Sequence, residues 1–209
     1  MTRVKMCGMT RVEDVRAAAE LGVDAIGLVF WPRSPRCVTT AQAVRLVEAL
    51  PPFVTVVGVF VDQPRDEIVR VACAVGLGAV QLHGDEAMDA WTDFQIPVLK
   101  AVGVDDRFDP SVLHTWPARV IPLLDARDPE RRGGTGRRID WTLAAQASGM
   151  RPLVLAGGLT PETVREAIRA VAPAAVDVSS GVEERPGVKS VERMSEFMQA
   201  VRAADKVQR

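Results

Sequence analysis

Short apolar runs alternate with longer amphipathic segments along the whole chain. The runs, rich in Val, Ile and Leu, are Val4–Cys7, Ala25–Phe30, Val54–Val61, Ala79–Leu82, Val98–Ala101, Val120–Leu124, Leu153–Leu155 and Ala175–Val178. Strands that are apolar almost without interruption are typical of a parallel sheet whose two faces are both covered. The pattern therefore predicts eight buried parallel strands.

The segments between these runs carry the spaced apolar positions of helices. The helical candidates are Thr10–Leu21, Thr40–Leu50, Asp85–Phe94, Pro110–Trp116 and Thr160–Val171. Gly22 is suited to end the first helix. Thr160 is expected to be the N-cap of the last, with Pro161 in its first turn. The candidates that follow the fourth and fifth strands are short.

Eight strand–helix units in 209 residues predict a single (β/α)8 TIM barrel, with residues 1–209 forming one catalytic domain. An open doubly wound sheet is the alternative fold. No linker or change of composition divides the chain. The longest loop candidate, Ala126–Arg138, contains Gly133, Gly134 and Gly136, and we expect it to close over a bound substrate.

Composition narrows the range of partners. The formal net charge is −1, so no general basic field is available for nucleic acid or for an anionic membrane. The first residues lack the apolar core of a signal peptide, and no apolar run approaches the roughly 18 residues of a membrane span. Cys7, Cys37 and Cys73 are widely spaced, which argues against disulfides or a zinc site. We expect a cytoplasmic protein.

Two candidate catalytic residues stand where strands end. In a parallel barrel the carboxyl ends of the strands carry the functional groups. Cys7 ends the first strand and shares its parity with Lys5, so both side chains are expected to point into the barrel. Cys7 is either a functional thiol or a small buried apolar residue. Asp125 follows the sixth strand, a position that favours a functional carboxylate over a solvated loop residue or cap.

Glycine-bearing turns follow the seventh and eighth strands. The first contains Gly157 and Gly158 and leads towards a helix, and the second contains the run Ser179-Ser180-Gly181 after Asp177. Glycine allows backbone amides to approach an anion closely, and these two loops are the usual phosphate site of such barrels. The sequence therefore predicts a small phosphorylated substrate at this end of the barrel.

Arg36 lies in a proline-stiffened loop after the second strand, Pro32-Arg33-Ser34-Pro35-Arg36. Such a loop suits a guanidinium held towards a carboxylate, although a solvated arginine is the simpler interpretation from residue type alone.

Taken together, these segments resemble the phosphoribosylanthranilate isomerases of tryptophan biosynthesis. The resemblance covers nearly the whole chain. It is carried, in order, by Val4–Arg11, Ser34-Pro35-Arg36, Val57–Phe60, Gln81-Leu82-His83-Gly84, Gly133–Gly136, Leu155–Leu159 and Asp177–Glu183. The Lys-x-Cys-Gly-x-Thr and Gln-Leu-His-Gly pieces are specific, whereas the Gly-Gly turns occur in many phosphate-binding barrels.

The resemblance implies an Amadori rearrangement without a cofactor, the third step from chorismate towards tryptophan. N-(5′-phosphoribosyl)anthranilate would become 1-(o-carboxyphenylamino)-1-deoxyribulose 5-phosphate. It assigns the general base to Cys7 and the general acid to Asp125. A thiol is mostly protonated at neutral pH, so a neighbouring positive charge, for which Lys5 is the candidate, is expected to lower the pKa of Cys7. An aspartate is ordinarily ionised, so its surroundings must hold the proton.

The resemblance also implies the substrate contacts. Arg36 would meet the anthranilate carboxylate, and the phosphate would lie on Gly157, Gly158, Ser179, Ser180 and Gly181. Gln81 and His83 end the fourth strand, where His83 either serves as an acid or base or shapes the anthranilate pocket. Asp177 would orient the substrate or the last turn. We expect a monomer, with weak self-association or association with a neighbouring pathway enzyme as the alternatives.

Three other functions compete with this one. The histidine-pathway sugar isomerase resembles this chain less, because it carries an aspartate where Cys7 stands. Indole-glycerol-phosphate synthase uses lysine and glutamate in the barrel mouth, and Lys100 after the fifth strand is the one echo of it. A catalytically silent barrel retained for binding is disfavoured by the intact acid and base positions.

Overall fold

The fold is a closed barrel of eight parallel strands. A computed structural model describes residues 1–105, 107–126 and 140–207. The strands are β1 Arg3–Cys7, β2 Ala25–Val29, β3 Thr55–Phe60, β4 Ala79–Leu82, β5 Val98–Val104, β6 Val120–Ala126, β7 Val154–Leu155 and β8 Ala175–Val178. Each strand pairs with its neighbours in sequence order, and β8 pairs with β1. The predicted TIM barrel is confirmed, and the open sheet is excluded.

The apolar runs became strands because both faces of the sheet are buried. One cluster of side chains fills the barrel interior, and it comprises Val57, Ala79, Leu99, Leu123, Val154 and Ala156. A larger cluster fills the space between the strands and the surrounding helices. Polar side chains enter the interior as well: Lys5 on β1 lies beside Asp177 on β8 in the strand register, and both are buried.

Among the described residues, six α-helices surround the barrel. They are α1 Val12–Glu20, α2 Thr40–Glu48, α3 Arg65–Val75, α4 Trp141–Met150, α5 Val164–Val171 and α6 Val191–Val207. Short 3₁₀ helices occupy Met88–Trp91, Pro110–Thr115 and Ser180–Val182. A small hairpin of β9 Glu183–Arg185 and β10 Val188–Lys189 follows β8. Gly22, at a φ of 80°, ends α1 as expected.

The start of α5 differs from the prediction. The helix begins at Val164, and Thr163 rather than Thr160 is its N-cap. The residues before it form a turn, because the amide of Thr160 donates to Oγ1 of Thr163 and the amide of Thr163 donates to the carbonyl of Thr160. The helices expected at Asp85–Phe94 and Pro110–Trp116 are 3₁₀ helices of one or two turns.

The two ends of the described chain meet on the barrel. The amide and hydroxyl of Thr2 both donate to the carboxylate of Asp205 in α6. The loop predicted at Ala126–Arg138 is described only at Ala126, the last residue of β6, so its expected closure falls outside the described residues. Among the residues that the structure covers, no helix has the length and apolar character needed to cross a membrane.

Candidate active site

A cavity of about 410 Å³ lies at the carboxyl ends of the strands. Its wall includes most of the residues singled out in the sequence, namely Cys7, Arg36, Gln81, His83, Asp125, Gly157, Gly158, Asp177, Ser179 and Ser180. Gly181 packs behind this wall, where an added Cβ would overlap the carbonyl oxygen of Leu159. The structure thus brings the chosen residues to one place from the carboxyl ends of six of the eight strands.

Cys7 is buried at the end of β1 and faces this cavity. Gly27 on β2 makes room for it, because a Cβ at Gly27 would lie 2.6 Å from the sulfur. Burial raises the pKa of the Cys7 thiol, and the nearby charges of Lys5 and Lys189 only partly oppose that shift. Lys5 thus acts in the expected direction, but the net shift of the pKa is upward, because desolvation of the thiolate outweighs the attraction of the ammonium group.

Lys5 lies at the centre of a buried polar network. Its Nζ is 2.9 Å from Oδ1 of Asp177 and donates to Oε1 of Gln81 at 2.9 Å. Burial alone would lower the pKa of Lys5, but its interactions with Asp177 and Cys7 reverse the direction and raise it. The lysine is therefore a fixed positive charge beneath the cavity floor.

Asp125 is the residue before the last of β6 and lines the same cavity as Cys7, and only 8% of its surface is exposed. Its Oδ1 accepts a hydrogen bond from the amide of Ala126 at 2.8 Å. Its Oδ2 lies 3.4 Å from Nε2 of His83. Nδ1 of that histidine is in turn 2.8 Å from Nε2 of Gln81, which links the carboxylate to the network around Lys5.

Arg36 does not stand free in the cavity, because a carboxylate of the same chain already binds one edge of its guanidinium. Nε donates to Oε1 of Glu183 at 2.8 Å, and Nη2 donates to Oε2 at 2.6 Å. This pair raises the pKa of Arg36. Gly8 lets the arginine stem cross the end of β1, since a Cβ at Gly8 would overlap its Cδ.

Lys189 is the second partner of Glu183, and neither residue was assigned a role from the sequence. The lysine Nζ donates to Oε1 of Glu183 at 2.8 Å, to the carbonyl of Cys7 at 2.6 Å and to the carbonyl of Ser179 at 3.1 Å. Although burial by itself would raise it, the pKa of Glu183 is lowered by Arg36 and Lys189. A turn signal at Pro186-Gly187 could have predicted the hairpin that pairs Glu183 with Lys189.

The two glycine turns meet at the rim of the same cavity. Gly157 and Gly158 have φ angles of 83° and 65°, a region that favours glycine. Within the described part of the chain, their amides donate to no acceptor. Ser179 and Ser180 come from the neighbouring turn after β8. The arrangement offers backbone donors to an anion at the rim of the cavity.

Metal-ligating side chains and Lys100 are the remaining candidate groups. The described residues contain no cluster of three or more His, Cys, Asp or Glu side chains placed to hold a metal ion. Lys100 does not point at the cavity; its Nζ pairs with Oε2 of Glu86 at 2.7 Å and donates to the carbonyl of Gly84. Lys100, the residue shared with indole-glycerol-phosphate synthase, thus binds the loop after β4.

Comparison with known proteins gives one consistent family. Residues 4–200 match the family model described as N-(5′phosphoribosyl)anthranilate (PRA) isomerase. A relative of that name from Geobacter sulfurreducens is 46% identical over 200 residues, covering 95% of this chain and 97% of the relative. The crystal structure of phosphoribosyl anthranilate isomerase from Thermotoga maritima is 43% identical, with a TM-score of 0.89, covering 97% of this chain and all of that one.

A further solved structure of this kind contains a bound molecule. It is a phosphoribosyl anthranilate isomerase in complex with reduced 1-(o-carboxyphenylamino)-1-deoxyribulose 5-phosphate. It is 41% identical to the present chain, with a TM-score of 0.86, and the match covers 97% of this chain and all of that one.

Proposed function

The chain belongs to the N-(5′-phosphoribosyl)anthranilate isomerase family, and we propose that Cys7 and Asp125 are the general base and general acid of its reaction. The reaction is the Amadori rearrangement of N-(5′-phosphoribosyl)anthranilate to 1-(o-carboxyphenylamino)-1-deoxyribulose 5-phosphate in tryptophan biosynthesis. One observation carries the assignment: a buried thiol at the end of β1 and a buried carboxyl near the end of β6 line the same cavity.

The first step is opening of the furanose ring. Asp125 gives its proton to the ring oxygen as the bond from C1′ to that oxygen breaks, and the anilino nitrogen supplies the electrons that form the iminium ion. The amide N–H of Ala126, which donates to Oδ1 of Asp125, then stabilises the carboxylate that remains.

The second step removes a proton from C2′. Cys7 in its thiolate form takes this proton, and the electrons of the C2′–H bond form a C1′–C2′ double bond as the iminium nitrogen becomes neutral. The enol amine then tautomerises to the ketone. Because burial raises the pKa of Cys7 in the free protein, the thiolate needs a compensating positive charge. The iminium ion of the first step brings that charge to the cavity, in addition to Lys5.

The anthranilate carboxylate is proposed to bind the outer edge of Arg36. Glu183 occupies the edge formed by Nε and Nη2, so N–H groups at Nη1 and Nη2 remain for a second carboxylate. A planar fork held on one side is preorganised for two-point binding on the other. Glu183 and Lys189 then act as positioning residues, since they fix the guanidinium and do not touch the substrate.

The phosphate is proposed to lie on the turns after β7 and β8. The amides of Gly157 and Gly158 and the hydroxyls of Ser179 and Ser180 provide donors, and Gly181 permits the close packing of the two turns. Gln81, His83 and Asp177 are proposed to contact the remaining parts of the substrate.

The active unit is proposed to be one chain acting as a single domain of residues 1–209 in the cytoplasm. All proposed site residues come from one barrel, and its first and last described segments are joined through Thr2 and Asp205. The free thiols of Cys7, Cys37 and Cys73 suit a reducing compartment. Light scattering after size-exclusion chromatography, at the concentration of the activity assay, tests the monomer.

The activity itself is tested with enzymatically generated substrate. The purified protein should remove the fluorescence of phosphoribosylanthranilate at a rate proportional to enzyme, with no added metal or cofactor. An unchanged signal from folded protein, in an assay that a known isomerase of the family completes, would contradict the proposed function.

A further inference from the structure

A line of polar groups, joined by two hydrogen bonds and one close approach, leads from the barrel interior to the cavity wall. It starts at Lys5 on β1, passes through Gln81 and His83 at the end of β4, and ends at Asp125 on β6. The successive separations are 2.9 Å from Lys5 Nζ to Gln81 Oε1, 2.8 Å from Gln81 Nε2 to His83 Nδ1, and 3.4 Å from His83 Nε2 to Asp125 Oδ2. The residues of the line that border the cavity are largely or fully buried.

The direction of the two hydrogen bonds in this line is set by its first member, Lys5. A lysine ammonium has donors and no acceptor, so the Gln81 atom that faces it must be the amide oxygen. The other end of the amide is then its NH₂ group, which can only donate. Nδ1 of His83 must therefore accept, which leaves the proton of the neutral ring on Nε2, the nitrogen that faces Asp125.

We propose that Lys5 and Gln81 are positioning residues that fix His83 in the Nε2–H form, so that His83 serves as a hydrogen-bond donor to Asp125 and not as an acid or base. This inference rests on the proposed function, because it assigns Asp125 the role of the acid. The donor lies where negative charge develops when Asp125 gives up its proton. A ring with its proton on Nδ1 would instead direct a lone pair at the carboxylate.

The ion pair between Lys5 and Asp177 also supports this assignment. Asp177 and Gln81 approach Lys5 from different strands, and interactions with Asp177 and Cys7 keep the ammonium protonated despite its burial. A protonated Lys5 cannot accept a hydrogen bond, so the Gln81 amide cannot rotate by half a turn without placing its NH₂ group against a cation. The orientation of one amide is thus enforced by buried charge.

The tautomer can be measured directly, without substrate. The chain has two histidines, and His114 is exposed, so a His114→Gln background leaves one imidazole ring. Long-range ¹⁵N–¹H spectra should show a protonated Nε2 and an unprotonated Nδ1 for His83. A ring protonated on Nδ1, or one averaging between the two tautomers, overturns the proposal.

Gln81→Glu should place a proton on Nδ1 of His83. A carboxylate has no donor for Nδ1, so the ring should acquire a proton on that nitrogen while Lys5 keeps its acceptor. Gln95→Glu makes the same change at an exposed site and should leave the ring spectrum unaltered. If Gln81→Glu does not fold, Gln81→Met should release the ring into a mixture of tautomers. A ring that stays protonated on Nε2 alone in the folded variant contradicts the role of Gln81.

Two substitutions of His83 distinguish a role as hydrogen-bond donor from a role as acid or base. His83→Gln keeps an N–H group near Asp125, whereas His83→Met has a similar length and none. We expect His83→Met to lower kcat by about 10-fold or more with little change in KM, and His83→Gln to recover most of that loss. Equal losses in kcat for both variants would assign proton transfer to His83 and overturn the proposal.

The two proposals fail in different experiments. A protein whose ring is protonated on Nε2 but which does not convert phosphoribosylanthranilate contradicts the proposed function alone. An active isomerase whose ring carries its proton on Nδ1 contradicts this inference alone.

Discussion

Arg36 and Glu183 form a two-point ion pair at the mouth of the barrel, with separations of 2.8 Å and 2.6 Å. Only 12% of the arginine side chain and 4% of the glutamate side chain are exposed. The pair therefore holds a guanidinium still at the cavity wall while leaving its outer edge available. A side chain held this rigidly loses little conformational freedom when a substrate carboxylate binds.

Replacement of Arg36 by lysine tests this clamp. Arg36→Lys keeps the charge but loses the planar fork, so KM for phosphoribosylanthranilate should rise by about 10-fold or more, while kcat changes less. Steady-state kinetics with the natural substrate and with an analogue lacking the carboxylate provide the measurement. For the analogue, KM should change little on mutation. An equal rise in KM for both compounds would mean that the substrate carboxylate does not bind Arg36.

Glu183→Gln tests the positioning role independently. The amide can accept one hydrogen bond from Arg36 but turns a donor towards the other nitrogen, so the fork should loosen and KM should rise. Glu184→Gln, at the exposed neighbouring position, is the matched control and should behave as the parent protein. An unchanged KM in folded Glu183→Gln would mean that Arg36 needs no partner to bind the carboxylate.

The thiol of Cys7 should titrate above the ordinary value of about 8.5, because its burial raises the pKa. In a Cys37→Ser, Cys73→Ser background, the ultraviolet absorbance of the thiolate reports this one group, and the chain has no tyrosine to interfere. The negative charge of Asp177 contributes to the raised pKa, so Asp177→Asn should shift the transition to lower pH. A shift to higher pH, or a parent thiol that ionises below the ordinary value, would contradict this account of the site.

Loss of either proposed catalytic group should affect chemistry more than binding. Cys7→Ala and Asp125→Asn should each reduce kcat by at least about 10²-fold with a modest change in KM, as expected for general acid–base catalysis. Cys73→Ser, which alters an exposed thiol on α3, is the control. A folded variant with nearly normal kcat would remove that residue from the mechanism.

Most of the architecture and the positions of Cys7 and Asp125 could be predicted because they follow from local rules. Strands buried on both faces are continuous apolar runs, and in a parallel barrel the end of each run lies at the same rim. Strand parity also placed Lys5 correctly inside the barrel. Thr160 was misassigned because a second threonine, Thr163, can cap as well, and the hydrogen bonds between the two decide which of them starts α5.

The interactions that tune the site could not be predicted, because they depend on distances across the barrel. Parity states that Lys5 points inward but not that it reaches Gln81, 76 positions away in sequence. Glu183 reaches Arg36 across 147 positions. The net direction of the pKa shift of Cys7 depends on the balance between burial and two lysines, which only a three-dimensional arrangement determines.

The phosphate site is tested by Gly158→Val. Gly158 has a φ of 65°, so a branched side chain there both strains the backbone and blocks the approach of an anion to its amide. KM should rise sharply, and competitive inhibition by inorganic phosphate or sulfate should weaken in the same variant. Backbone strain alone costs roughly 1–2 kcal/mol of stability, so a control must separate strain from lost binding.

Gly76→Val provides that control. Gly76 has a φ of 72°, ends α3, and has open space around an added Cβ. It should therefore lose a comparable amount of stability in thermal unfolding while keeping the parent KM and the parent sensitivity to phosphate. If Gly158→Val instead matches Gly76→Val in all three measurements, the phosphate is not held by the turn after β7. The anion would then have to be bound by side chains elsewhere on the rim, since the net charge of −1 supplies no general attraction.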